Sequence, residues 1–173
     1  YTAQNLTTYP KLNDFIFSEP HIFIGGTTGS GKSVLLNGII CDLIESKAKQ
    51  IGLYLIDPKR VELYPYSKTD ICECYTEEAD DVPAILNGAI AIINDRYEAM
   101  RNEGVKDYAG KNIYIVIDEL ADLMISENAR EIKTRLQKIL QIGRAAGVHI
   151  IAATQAPNRE VIPASLVLNF TDR

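Results

Sequence analysis

The sequence predicts an α/β fold, a mainly parallel sheet carrying helices on both faces. Three observations predict it. Runs such as Ile51-Gly52-Leu53-Tyr54-Leu55-Ile56 and Ile113-Tyr114-Ile115-Val116-Ile117 are apolar almost without interruption, as strands buried on both faces must be. Between these runs lie longer segments whose apolar residues recur at helical spacing. The chemically distinctive groups, namely 26–33, Asp57, Asp118-Glu119 and Thr154-Gln155, each follow an apolar run. In a parallel sheet with crossover helices, the carboxyl ends of the strands share one edge and ligands bind there.

The elements follow in order. Residues 1–20 are polar and punctuated by Pro10 and Pro20, which reads as an N-terminal arm leading into a single domain over 21–173. A first strand is expected at 21–25, followed by a helix carrying Val34, Leu35, Ile39, Leu43 and Ile44 on its apolar positions. The second strand, 51–56, ends in Asp57-Pro58. The stretch 62–81 shows no clear period. Ile85, Ala89, Ile92, Ile93, Tyr97 and Met100 then trace one face of a long helix that Gly104 terminates. The third strand, 113–117, ends in Asp118-Glu119. Ile132, Leu136, Ile139 and Leu140 mark the next helix, with Arg130, Lys133, Arg135 and Lys138 on its other positions. Gly147 leads to a fourth strand, Val148 to Ala153, and Leu166-Val167-Leu168 is read as a fifth. There is no internal repeat.

Bulk properties narrow the function. The chain has 173 residues, 46% hydrophobic and 24% charged, enough for one well-buried core and ordinary for a globular domain. No apolar run approaches the roughly 18 residues of a membrane span, and the start lacks a secretory pattern. A cytoplasmic location is expected, with a membrane anchor elsewhere in a longer parent left open because the first residue is Tyr rather than Met. The formal net charge of −5 and pI near 5.1 argue against nucleic-acid binding by overall charge, so any DNA contact must be local. Cys41, Cys72 and Cys74 form no metal-ligand spacing and read as reduced thiols.

Gly26-Thr27-Thr28-Gly29-Ser30-Gly31-Lys32-Ser33 satisfies every fixed position of the phosphate-binding pattern G-x-x-x-x-G-K-[ST]. Its glycines let consecutive backbone N–H groups surround a phosphate, and the following helix, from Val34 on, adds its positive end. Lys32 supplies a point charge to the β and γ oxygens, and the Ser33 hydroxyl is placed for Mg²⁺. Asp118, at the end of a buried strand, is the companion that holds the magnesium, and Glu119 is placed to orient and deprotonate an attacking water. That adjacent glutamate favours a water-activating ATPase over a kinase. Thr154-Gln155 reads equally as a γ-phosphate sensor or as a turn before Pro157. By itself Asp57-Pro58-Lys59-Arg60 reads as a surface turn, and His21 and His149 as packing or surface residues.

Taken as an ordered set, these motifs resemble the FtsK/SpoIIIE family of DNA-translocating ATPases. The set is 26–33, Asp57-Pro58-Lys59-Arg60-Val61-Glu62-Leu63, Arg96-Tyr97-Glu98-Ala99-Met100, Asp118-Glu119-Leu120-Ala121-Asp122-Leu123, Gly143-Arg144-Ala145-Ala146-Gly147-Val148-His149 and Ala153-Thr154-Gln155. The resemblance implies a RecA-like P-loop NTPase core that assembles as a hexameric ring and hydrolyses ATP with Mg²⁺ between subunits while moving double-stranded DNA. It implies that Gly26 through Val34 bind nucleotide, that Ser33 and Asp118 hold magnesium, that Lys32 and Glu119 act catalytically and that Gln155 senses the γ-phosphate. It also turns Arg144 into a finger that reaches a neighbour's ATP. Ala156-Pro157 stands where the family commonly has Arg-Pro, which removes one basic group, although Arg159 is close by. The sequence stops at Asp172-Arg173, short of the rest of the family's motor domain, and contains no winged-helix or membrane segment. The alternatives are a coupling ATPase of conjugation or secretion, and a non-hydrolysing nucleotide-binding module, which would have no use for Glu119.

Overall fold

The computed structural model describes residues 20–45, 50–156 and 161–170. Five strands form one sheet: β1 (His21–Gly25), β2 (Ile51–Ile56), β3 (Cys72–Thr76), β4 (Asn112–Ile117) and β5 (Val148–Thr154). The spatial order is β1-β5-β4-β2-β3, and every neighbouring pair is parallel. Parallel neighbours need crossovers long enough to return the chain over the sheet. Here these are α1 (Lys32–Glu45), α2 (Val82–Glu103), the short α3 (Leu120–Ile125) and α4 (Ala129–Ile142).

The helices cover both faces, as the unbroken apolar character of the central strands requires. Alternate residues of β1, β2, β4 and β5 enter opposite cores. Phe23, Ile113, Ile115, Ile117, Val148, Ile150 and Ala152 face Leu86, Ile93, Leu136 and Ile139 of α2 and α4. Ile22, Ile24, Leu53, Leu55, Val116 and Ile151 face Leu36, Ile39, Ile40 and Leu43 of α1. A single large-to-small substitution in such a core costs about 2–5 kcal/mol, so each layer contributes substantially to stability.

The expected strands at 21–25, 51–56, 113–117 and 148–153 are present, and Gly104 caps α2 in the left-handed conformation. Three differences stand out. The buried face of α1 is Leu36, Ile39, Ile40 and Leu43, whereas Val34 is 77% exposed and Leu35 is also exposed. The helix begins at Lys32, and this phase turns Val34 toward the cleft described below.

Leu166-Val167-Leu168 is not a strand. The fifth strand is β3, in the stretch that lacked a period, and residues Ala164–Val167 form a one-turn helix, α5. The Pro163 carbonyl accepts from the N–H groups of Leu166 and Val167, at 2.9 and 3.3 Å, which closes the turn locally. The residues that reach the core there are Ile162, Leu166 and Phe170, a spacing of four that belongs to a helix. Among the described residues β3 pairs only with β2, and an edge strand need not be apolar on both faces. A 3₁₀ turn over Tyr64–Lys68 precedes it. Most of the arm read at 1–20 lies outside the described residues. Among the described residues, no helix is long and apolar enough to cross a membrane.

Candidate active site at the carboxyl edge of the sheet

The strand ends bring the expected groups together. The phosphate-binding loop leaves β1 with Gly26 N–H bonded to the Thr154 carbonyl at the end of β5, at 3.1 Å. Gly29 and Gly31 have φ of 82° and 92°, where a side chain would be strained. A Cβ on Gly26 would collide with Ser30 Oγ. The loop flows into the first turn of α1, whose free N–H groups and dipole favour an anion. Thr27, Thr28, Gly29, Gly31, Lys32, Ser33, Val34, Glu62 and Gln155 line a cleft of about 380 Å³.

Lys32 lies beneath this cleft. Its Nζ donates to Asp118 Oδ1 at 2.7 Å and to the Asp118 carbonyl at 3.0 Å, with the two side chains only 4% and 1% exposed. Two of the three ammonium donors are therefore engaged, and one remains for a ligand. Burial raises the Asp118 pKa above the ordinary carboxylate value; the Lys32 bond and charge oppose that rise, and Asp57 reinforces it. Asp57 follows β2 as Asp118 follows β4, and these strands pair in register from Ile51–Asn112 to Ile56–Ile117. Asp57 Oδ2 accepts from Leu63 N–H at 2.9 Å. Its Oδ1 is buried with no hydrogen-bond partner among the described residues.

Glu119 is held on every side. Oε1 accepts from Thr154 Oγ1 at 2.6 Å, Oε2 accepts from Lys59 Nζ at 2.8 Å, and Gln155 N–H lies 3.1 Å from both oxygens. Burial works to raise its pKa, but the bonds from Lys59, Thr154 and Gln155, with the Lys59 charge, outweigh it and hold the carboxyl below its ordinary value. Lys59 is shifted up, its desolvation outweighed by the bond to Glu119 and by the charges of Glu119, Asp122 and Asp118. Gln155 also accepts from Thr28 Oγ1 at 3.2 Å through its side chain, so it spans the phosphate loop and the glutamate.

The structure thus gathers Gly26 through Val34, Asp118, Glu119 and Gln155 at one edge. Arg144 is elsewhere. It is exposed and precedes the start of β5, a seven-residue strand that at about 3.3 Å per residue places it roughly 20 Å from the cleft. Lys59, Asp57 and Glu62 are the site residues that reading the Asp57-Pro58-Lys59-Arg60 segment alone as a surface turn overlooked. The available signal was their position just after a buried strand, the same rule that found Asp118. Glu62 lines the cleft and accepts a long 3.4 Å bond from Asn37 Nδ2. Arg159 lies outside the described residues.

Comparison with known proteins decides the family. A sequence model of the FtsK/SpoIIIE family matches residues 5–116 and 110–159. The chain belongs to the FtsK/SpoIIIE family. DNA translocase FtsK of Chlorobaculum tepidum is 35% identical across 92% of this chain, and that of Caldanaerobacter subterraneus subsp. tengcongensis is 37% identical across 89%. The chain spans only 22% and 23% of those proteins. Among solved structures, the pCW3 conjugation coupling protein TcpA in a monomer form with ATPγS has a TM-score of 0.75 and 28% identity, covering 88% of this chain and 47% of that one. EssC from Geobacillus thermodenitrificans, ATPases 2 and 3, has a TM-score of 0.74 at 17% identity over 89% of this chain and 31% of that one, a likeness of fold. This FtsK/SpoIIIE chain therefore has a P-loop ATPase fold.

Proposed function

We propose that residues 21–173 form the RecA-like nucleotide-binding core of an ATP-driven double-stranded DNA translocase, working as a hexameric ring on the cytoplasmic side of the cell. The observation that supports this most directly is the Asp118-Glu119 pair at the end of β4, beside a P-loop, in a chain 35–37% identical to DNA translocases. A switch or scaffold that only held nucleotide would have no need of Glu119.

In this reading Gly26 through Val34 bind the phosphates through backbone N–H groups and the N-terminal end of α1. Lys32 offers its remaining donor to the phosphate oxygens and then turns the other two from Asp118 to them. Ser33 and Asp118 present hard oxygen donors of the kind magnesium prefers. The residues fit that ion: Asp118 is a buried carboxylate, and the unpartnered Asp57 Oδ1 adds a second buried acceptor from the adjoining strand end. Magnesium held by Ser33 and Asp118 would supply positive charge to offset the negative charge that develops on the phosphate oxygens. Glu119 takes the proton of the attacking water once Lys59 withdraws and frees Oε2, the oxygen that ammonium otherwise engages. The Gln155 side chain accepts from Thr28 of the phosphate loop and its backbone N–H donates to the Glu119 carboxylate, a position suited to sensing the γ-phosphate. Arg144 cannot serve its own cleft at roughly 20 Å and acts on a neighbour's.

The test is ATP hydrolysis with and without long duplex DNA over a range of protein concentration, comparing the parent with Glu119→Gln. Glu119→Gln should bind ATP while losing roughly a hundredfold or more in turnover. Stimulation by DNA that rises more steeply than protein concentration supports the ring motor. The likeness to TcpA favours a second reading, a conjugation coupling ATPase, and to EssC only a shared fold. Turnover indifferent to duplex DNA would reject the translocase reading.

A further inference from the structure

The segment between α4 and β5 carries Arg144, and one buried cation grips it. Arg96 of α2 is only 9% exposed. Its Nη1 donates to the Ala146 carbonyl at 2.7 Å and to the Gly147 carbonyl at 3.2 Å. Its guanidinium lies over the Tyr108 ring, 4.2 Å from the centroid, and Tyr108 N–H donates to the Ala145 carbonyl at 2.8 Å. On the other side, the Tyr97 hydroxyl donates to the Ile142 carbonyl at 3.0 Å. A Cβ on Gly147 would sit 2.6 Å from Asn112 Oδ1 and 3.4 Å from Arg96 Nη1, so the backbone is drawn right up to the guanidinium. Carbonyls 142, 145, 146 and 147 are all held, and the exposed Arg144 is the side chain they bracket.

A buried cation is costly unless its donors are used. Burial pushes the Arg96 pKa down, and no ion pair involving Arg96 occurs among the described residues. Packing alone would be met more cheaply by an apolar residue. A planar guanidinium is suited to what is seen, bonds to successive carbonyls with an aromatic ring on its face, and a lysine ammonium cannot reproduce that.

We propose that Arg96, with Tyr97 and Tyr108, is a positioning device that fixes the Arg144 segment so that one subunit presents a rigid cation to the nucleotide of the next. This rests on the reading of Arg144 as acting between subunits. Arg96 therefore works on the subunit that donates Arg144 and has no part in that subunit's own cleft. A displacement of about 1 Å in such a group costs up to about a hundredfold in rate, so loosening the segment is felt at the neighbouring site.

The test is a mixed-subunit assay in the full chain. Lys32→Ala subunits keep Arg144 but lack phosphate binding, and Arg144→Ala subunits have the converse defect. Mixing them restores ATP hydrolysis above either alone. Adding Arg96→Lys to the Lys32→Ala donor should lower the restored rate by about tenfold. Adding it to the Arg144→Ala acceptor should leave the rate within about twofold of the reference mixture. Tyr97→Phe, which removes a single hydroxyl, should show the same asymmetry at about threefold, and thermal unfolding of each variant verifies that it is folded. Equal losses on donor and acceptor, or no loss on either, overturn the positioning role while Arg144 in trans stands. Failure of the reference mixture to restore hydrolysis overturns the inter-subunit reading of Arg144 and this inference with it.

Discussion

Removing Lys32 should destabilise the fold as well as stop phosphate binding. The ammonium sits 2.7 Å from Asp118 Oδ1 and 3.0 Å from its carbonyl, at 4% exposure against 1% for its partner. Lys32→Met keeps the length of the side chain and deletes the charge, leaving Asp118 buried and unpaired. Breaking a buried pair from one side costs about 3–5 kcal/mol. The cleft is open to water above the pair, so the lower figure applies. For a domain of this length each kcal/mol moves the midpoint by about 2–4 °C, which gives a loss of roughly 6–12 °C in Tm. The assay is thermal unfolding followed by circular dichroism, without nucleotide, near pH 7. The companion variant is Lys32→Met with Asp118→Asn, which removes the stranded charge and should recover more than half of the loss. A Lys32→Met variant as stable as the parent refutes the reasoning, as does a double variant less stable than the single. If the expected loss is seen, Lys32 substitutions used as inactive blanks carry a stability defect that has to be measured alongside their activity.

Further outcomes follow from the same geometry. The His21 pKa is pushed down to about 3 from 6.5, first by burial and then by the nearby His149 charge, so the native state keeps the ring neutral while the unfolded chain takes a proton below pH 6.5. Its contribution is fully present above about pH 6.5 and is lost as pH falls toward about 3. His21→Asn keeps an acceptor for Ile150 N–H, which bonds to Nδ1 at 3.1 Å, and should flatten the decline of Tm between pH 6.5 and 4.5; an unchanged slope counts against a neutral buried ring. Lys59→Met frees one oxygen of Glu119, and because the Lys59 side chain is one-third exposed the gain is modest. DNA-independent hydrolysis should rise about fivefold, in line with a charge-assisted bond discounted for solvent screening. A fall in both basal and stimulated turnover would show that Lys59 is needed for the chemistry rather than holding Glu119 back.

Legibility followed the distance over which each feature is encoded. The phosphate loop was readable because it is contiguous: glycine at 29 and 31 and lysine at 32 act through backbone that is close in sequence. The placement of Asp118 and Glu119 was readable because they end an apolar run, and a parallel sheet carries such ends to one edge; Thr154-Gln155 follow a run as well, but spacing alone left them open between a sensor and a turn. The strand read at 166–168 failed because three apolar residues in a row carry no period. Only the contacts of Ile162, Leu166 and Phe170 distinguish a helical turn. The edge strand β3 failed for the opposite reason, since half-exposed residues give no apolar signal.

By itself, the sequence determined the α/β class, the four buried strands, the P-loop and the paired acids, because burial and local backbone geometry act on neighbouring residues. Tertiary structure alone decided that Lys59 grips Glu119 across 60 residues and that Arg96 grips carbonyls 50 and 51 residues away. It also placed Arg144 at the edge opposite the cleft, which local periodicity does not encode. Hydrogen bonds between distant residues depend on which strands become neighbours, and here that order, β1-β5-β4-β2-β3, departs from the order along the chain.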